Sequence, residues 1–157
     1  MRHAHVLLSA ALLLVATPVP VRGQTPLAPA IVEGGVHACL VGHDMWTVGA
    51  RFGVLPRLAL GPEVIRNGYY DSWLVLGEAV FDLRRSGRVM PYVRAGAGVT
   101  SSQSFPFGRV TTGAFSGGVG VLIPLGDYLF VAPESRLLIE DQSSHPMVGV
   151  IVGVRLR

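Results

Sequence analysis

Lysine is absent from this chain. All 13 of its basic residues are arginines, set against 10 acidic ones for a formal net charge of +3. The arginines are scattered and not gathered into a stripe or tail, which argues against a nucleic-acid footprint. Cysteine occurs once, as Cys39, so no intramolecular disulfide can form, and no set of Cys and His stands at zinc spacing. No cofactor or metal is expected. Also missing is an apolar run of the roughly 20 residues that a membrane-spanning helix needs. From residue 30 onward no window keeps the 3.6-residue period of an amphipathic helix.

What the sequence does hold is apolar and turn-rich. Half of its 157 residues are hydrophobic, only 15% are charged, and it carries 20 Gly and 11 Pro. That mixture discourages long helices and favours short strands joined by tight turns. The length suits a single domain.

At the N-terminus, Arg2, His3 and His5 precede the apolar run 6–16, which Thr17, Pro18 and Pro20 close before Val21-Arg22-Gly23-Gln24. A basic start, a short apolar core and small residues before a cleavage point describe a signal peptide. The expected organisation is a signal peptide over 1–23, a short flexible N-terminal segment over 24–30, and a barrel domain over 31–157. No cysteine follows the cleavage point, so no lipoprotein anchor is expected.

Alternation with period two recurs through the rest and predicts eight strands, near 31–41, 46–55, 58–66, 72–83, 89–100, 111–123, 128–139 and 146–156. Successive side chains of a strand point to opposite faces. One face collects Val32, Val36, Val48, Phe52, Val54, Leu60, Val64, Val75, Phe81, Val119, Val121, Leu137, Val148, Val150, Val152 and Val154, without a charge. The other collects Glu33, His37, Arg51, Glu63, Glu78, Asp82, Arg94, Glu134, Arg136 and Arg155, interleaved with glycines. A soluble barrel needs the reverse polarity. With the apolar face toward lipid the pattern is consistent, because a closed barrel satisfies every backbone group in hydrocarbon and a charge on the lipid side costs about 2–4 kcal/mol at midplane. The fold class read here is therefore all-β, an eight-stranded antiparallel up-and-down transmembrane β-barrel.

Two secondary signals point the same way. Alternate connections look long and short, with the Ser101 to Val110 loop the longest, as expected when loops lie outside and turns lie in the periplasm. Aromatics bracket the strands, with Trp46, Tyr69, Tyr70, Trp73, Phe105 and Phe107 near one rim and Phe81, Tyr92, Tyr128 and Phe130 near the other.

The stretches Pro91-Tyr92-Val93-Arg94-Ala95-Gly96-Ala97-Gly98-Val99, Gly117-Gly118-Val119-Gly120-Val121 and Val148-Gly149-Val150-Ile151-Val152-Gly153-Val154-Arg155-Leu156 make the chain resemble the small bacterial outer-membrane β-barrel proteins, the porin-like and OmpA-like superfamily. The resemblance covers about 30–157. It implies export to the bacterial outer membrane, contact with outer-membrane lipids and the outer-membrane assembly machinery, and an interior ion-pair network. One departure stands out: the family usually closes its last strand on an aromatic residue, and this chain ends Leu156-Arg157.

Counting up each strand places Arg51, Glu63, Glu78, Arg94, Glu134 and Arg136 at similar depth. Confined charges that stay unpaired cost several kcal/mol each, so these six are expected to form an interior charge network. An eight-stranded barrel is only wide enough for its own side chains, so the lumen reads as filled. His37 and Cys39 fall two apart on the same face without further ligands at defined spacing, and read as a hydrogen-bonded imidazole and a small interior thiol. Glu140, Ser143, Ser144 and His145 in the last loop, with His43-Asp44 in the first, supply the residue types of an acyl hydrolase but no triad spacing.

The resulting expectation is a non-enzymatic barrel with a structural, envelope-integrity or surface-interaction role, with a possible surface partner at the Ser101 to Val110 loop. A narrow channel or small-molecule transporter, a lipid-modifying enzyme and a soluble secreted barrel are the successive alternatives.

Overall fold

The computed structural model describes residues 30–39, 44–68, 71–83, 89–104, 108–140 and 143–156. The signal peptide and most of the flexible segment expected before residue 30 lie outside these residues, as do Leu40, His43, Tyr69, Tyr70, Phe105, Phe107 and Arg157. Eight strands account for nearly all of the described chain: β1 Ala30–Cys39, β2 Asp44–Leu55, β3 Leu58–Asn67, β4 Ser72–Asp82, β5 Met90–Ser104, β6 Gly108–Pro124, β7 Leu129–Glu140 and β8 Ser143–Leu156. Each pairs antiparallel with its sequence neighbours, and β1 pairs with β8 to close the barrel.

An even strand number puts both ends of the barrel chain at one rim, here called the terminal end, together with the connections 56–57, 83–89 and 125–128. The distal end carries 40–43, 68–71, 105–107 and 141–142. The long and short alternation expected of these connections is absent, because strand pairing continues into segments that read as loops. β5 and β6 pair as far as Ser104 opposite Gly108, and β7 and β8 as far as Glu140 opposite Ser143. Most of the Ser101 to Val110 segment is therefore hairpin. Pairing of β4 with β5 stops at Ser101 and pairing of β6 with β7 begins at Ala114. The β5–β6 ribbon thus projects past its neighbours.

Period two sorts the two faces. Val36, Phe52, Val75, Val99, Phe115, Val119, Val150 and Val152 are exposed on the outer wall, an apolar surface of the kind that hydrocarbon solvates. Among the described residues, charge reaches that wall toward the distal rim, where Arg66 pairs with Asp71 at 2.7 Å and its guanidinium lies 4.7 Å from the centroid of Trp73. Trp73 in turn meets Trp46 edge to face at 5.5 Å. These two tryptophans and, at the terminal rim, Phe81 face outward, while Tyr128 is exposed in the turn between β6 and β7. Tyr92 and Phe130, read from sequence as girdle residues, instead point into the lumen and are buried. They share strand parity with Arg94 and Glu134, so the period that sent the charges inward also sent these rings inward.

The lumen is more apolar than a charge-and-glycine face implies. At the distal end Met45, Ile65, Leu74, Leu76, Ala114, Leu138 and Met147 pack with Cys39. At the terminal end Val80, Tyr92, Leu122, Phe130, Ala132 and Ile151 form a second cluster. The side chains of Glu63, Glu78, Arg94, Glu134 and Arg136 lie between these two apolar plugs.

Candidate functional site

The charged middle of the lumen is built on a cross-strand rule. Glu78 sits opposite Gly61 and Gly96, Glu33 opposite Gly49 and Gly153, Glu134 opposite Gly120 and Gly149, and both Arg94 and Arg136 opposite Gly118. A long side chain on one strand thus lies over a neighbour without a Cβ. The requirement is steric: a Cβ at Gly120 would collide with the ring of Tyr92, and one at Gly149 with the imidazole of His37. Charge and glycine alternate along one face because each strand supplies both the side chain and the space for the next.

Arg94 is the hub. Its Nε donates to Glu78 Oε2 at 3.1 Å, Nη1 to Glu134 Oε2 at 3.0 Å and Nη2 to Glu63 Oε1 at 3.0 Å, with Glu33 Oε1 3.8 Å away. The planar fork of a guanidinium suits this radial role, because its donors point to several walls at once. Arg136 Nη2 donates to Glu63 Oε2 at 2.6 Å and also contacts Glu78 and, at 3.0 Å, Ser116 Oγ. Arg51 pairs with Glu33. The structure therefore brings Glu63, Glu78, Arg94, Glu134 and Arg136 into one connected group. Arg51 joins it through Glu33, toward the terminal end.

Four participants were not assigned to this group from sequence. Glu33 makes the count four carboxylates to three guanidiniums. His37 Nε2 donates to Glu134 Oε1 at 2.7 Å, which places that proton on Nε2. Tyr92 Oη donates to Glu134 Oε2 at 2.7 Å, and Ser116 Oγ to Glu78 Oε1 at 2.6 Å. These further donors add hydrogen bonds to carboxylates that the guanidiniums alone leave under-satisfied, as charge buried away from water requires. Strand parity already sends all four inward. What sequence does not carry is which inward residues meet across the lumen, since that depends on strand tilt and stagger.

The other residues singled out from sequence lie apart from this group. Cys39 is buried in the distal apolar plug. Glu140, Ser143, Ser144 and His145 occupy the β7–β8 hairpin, with Glu140 and His145 half-buried and both serines exposed. Asp44 opens β2 at the distal rim, and Asp82 and Arg155 lie near the terminal rim.

No family model matches the chain, and no curated protein does. Among solved structures it is similar to the N-terminal β-barrel domain of Pseudomonas aeruginosa OprF, with a TM-score of 0.72 and 14% identity over 83% of this chain and 100% of that one. Neisserial surface protein A matches with a TM-score of 0.59 and 13% identity over 83% of this chain and 96% of the other. A de novo designed transmembrane β-barrel matches with a TM-score of 0.59 and 19% identity over 83% and 98%. At these identities the likeness concerns the fold, which is that of small outer-membrane β-barrels.

Proposed function

We propose that this chain works in a bacterial outer membrane as a non-enzymatic barrel. Its role is structural or supports surface interaction, and its lumen is closed by side chains. The observation that carries this reading is the stacking of the interior: an apolar plug, a hydrogen-bonded ionic layer and a second apolar plug. Dispersion and close packing at both ends favour a filled lumen over a water column, and the ionic layer locks strands far apart in sequence. Export through a signal peptide over 1–23 and insertion by the outer-membrane assembly machinery belong to the same proposal. The six-residue set Arg51, Glu63, Glu78, Arg94, Glu134 and Arg136, joined by Glu33, His37, Tyr92 and Ser116, is assigned the job of fixing barrel register. The surface-interaction element is the projecting β5–β6 ribbon, where Gln103, Arg109, Val110 and Thr111 are exposed.

Planar-bilayer recording tests the reading. Purified barrel reconstituted at high protein-to-lipid ratio is expected to give no discrete conductance steps, and Arg94→Gln is expected to leave that silence intact. Steps in the unaltered protein that change size in Arg94→Gln select the narrow-channel alternative. Envelope fractionation with a gel comparison of heated and unheated samples checks the membrane placement, which a detergent-free, monodisperse periplasmic protein contradicts.

A further inference from the structure

At the terminal mouth the lumen opens into a cavity of about 200 Å³. Its wall is contributed by the 56–57 turn and by residues of six strands, β1, β2, β3, β4, β6 and β8. The apolar floor is Ile31, Val80 and Leu122, and the polar groups are Arg51, Arg57, Arg155 and Asp82. Three guanidiniums thus share the wall with one carboxylate. A volume of this size corresponds to roughly six water molecules at about 30 Å³ each, which is ample for a tetrahedral oxyanion with part of its hydration shell.

The deepest of the three guanidiniums is Arg51, which is only 4% exposed. It contacts Glu33 through Nη2, while its Nε has no hydrogen-bond partner among the described residues. That nitrogen is shielded from solvent, so Arg51 contributes its charge from behind the cavity wall, while the donors open to a ligand at the mouth are those of Arg155 and Arg57. Arg155 is half-buried on the lumen side of β8 and Arg57 is exposed on the turn, so the cations run from the rim inward. A cleft with one dominant sign of charge and apolar walls focuses its field on a counter-ion. The planar donor fork of arginine matches phosphate oxygens in particular.

We infer that this terminal vestibule is a binding site for a phosphate group, held by Arg155 and Arg57 at the mouth with Arg51 behind them. The site does not depend on whether the barrel conducts. Two sources share the chemistry, a free phosphate or phosphate monoester and the headgroup of a phosphate-bearing lipid.

Calorimetric titration tests the site on the folded barrel in a maltoside detergent, which brings no phosphate of its own, with folding of every variant read first by heat-modified gel mobility. Inorganic phosphate is expected to bind saturably. Arg155→Gln is expected to weaken binding by about tenfold or more, the loss of one charge-assisted hydrogen bond. Asp82→Asn is expected to tighten it, and Arg109→Gln at the distal end to leave it unchanged. Arg57→Gln replaces Arg155→Gln as the deciding variant if the latter does not fold. A second arm titrates short-chain phosphatidic acid into the same micelles. Binding in that arm alone, lost with the vestibule arginine, supports the site and assigns it to a lipid headgroup. No saturable binding in either arm, or binding indifferent to the vestibule arginine, overturns the inference.

Discussion

Arg94 reaches Glu63, Glu78 and Glu134 with three different nitrogens and lies 3.8 Å from Glu33, so its removal leaves several buried carboxylates short of a cation. Truncating one partner of such a cluster costs about 3–5 kcal/mol. Arg94→Ala is expected to lower the unfolding free energy by that amount in denaturant titrations of the refolded barrel. Arg66→Ala, whose pair with Asp71 is solvent-exposed, is expected to cost only about 0–1 kcal/mol. The glycines answer to the same geometry. A methyl group at Gly149 meets the His37 ring, while one at Gly117 meets nothing within 4 Å. Gly149→Ala is expected to destabilise by about 1–3 kcal/mol, the usual cost of overpacking, and Gly117→Ala to be close to neutral by the same titration. At this scale strand parity made the direction of His37 and Tyr92 legible, but their shared acceptor, Glu134, comes from a strand about 40 to 100 residues away. Nothing in local sequence marks that meeting.

Most strand boundaries were legible because hydrophobic alternation starts and stops at Gly, Pro and Asn. The β5–β6 hairpin was not, and the reason is chemical. Its outer part reads Thr100-Ser101-Ser102-Gln103-Ser104 and Arg109-Val110-Thr111-Thr112, which has no apolar alternation and so looks like loop. Thr and Val nevertheless favour extended backbone, and beyond the lipid a strand needs no apolar face to be stable. Ladder hydrogen bonds from Ser101 opposite Thr111 to Ser104 opposite Gly108 hold the ribbon, while the β7-facing side of residues 108–113 has no neighbouring strand. An extension so placed adds little to the closed barrel. Replacing residues 103–109 with Asn-Gly is expected to preserve heat-modifiable gel mobility and to change stability by no more than about 0.5 kcal/mol, the range of surface changes that touch no buried group. Any surface partner taken up by the ribbon is expected to be lost in the same variant, measured by binding to intact cells.

For the whole molecule, the decisive property is that polarity is inverted relative to a soluble barrel while the backbone topology is not. Position in the sequence told which face each residue takes, because a period of two admits only two answers. It left open how far the lumen is filled, because packing across the barrel depends on stagger, and the two apolar plugs use inward Leu, Ile, Met and Phe residues that period two places beside the charges. The outer wall offers the cleanest test of the inversion. Val119 is 58% exposed and sits on β6 opposite Val93 and Ser135, well inside the closed part of the barrel. If that wall faces hydrocarbon, Val119→Arg must carry a guanidinium into lipid, at about 2–4 kcal/mol near midplane. On a barrel coated with water the same change exchanges an exposed apolar side chain for a solvated cation and costs next to nothing. Refolding into lipid vesicles, followed by denaturant titration, is expected to show the larger loss for Val119→Arg and almost none for Arg109→Gln on the projecting ribbon. Equal stability of the two variants in vesicles contradicts the assignment of this face to lipid.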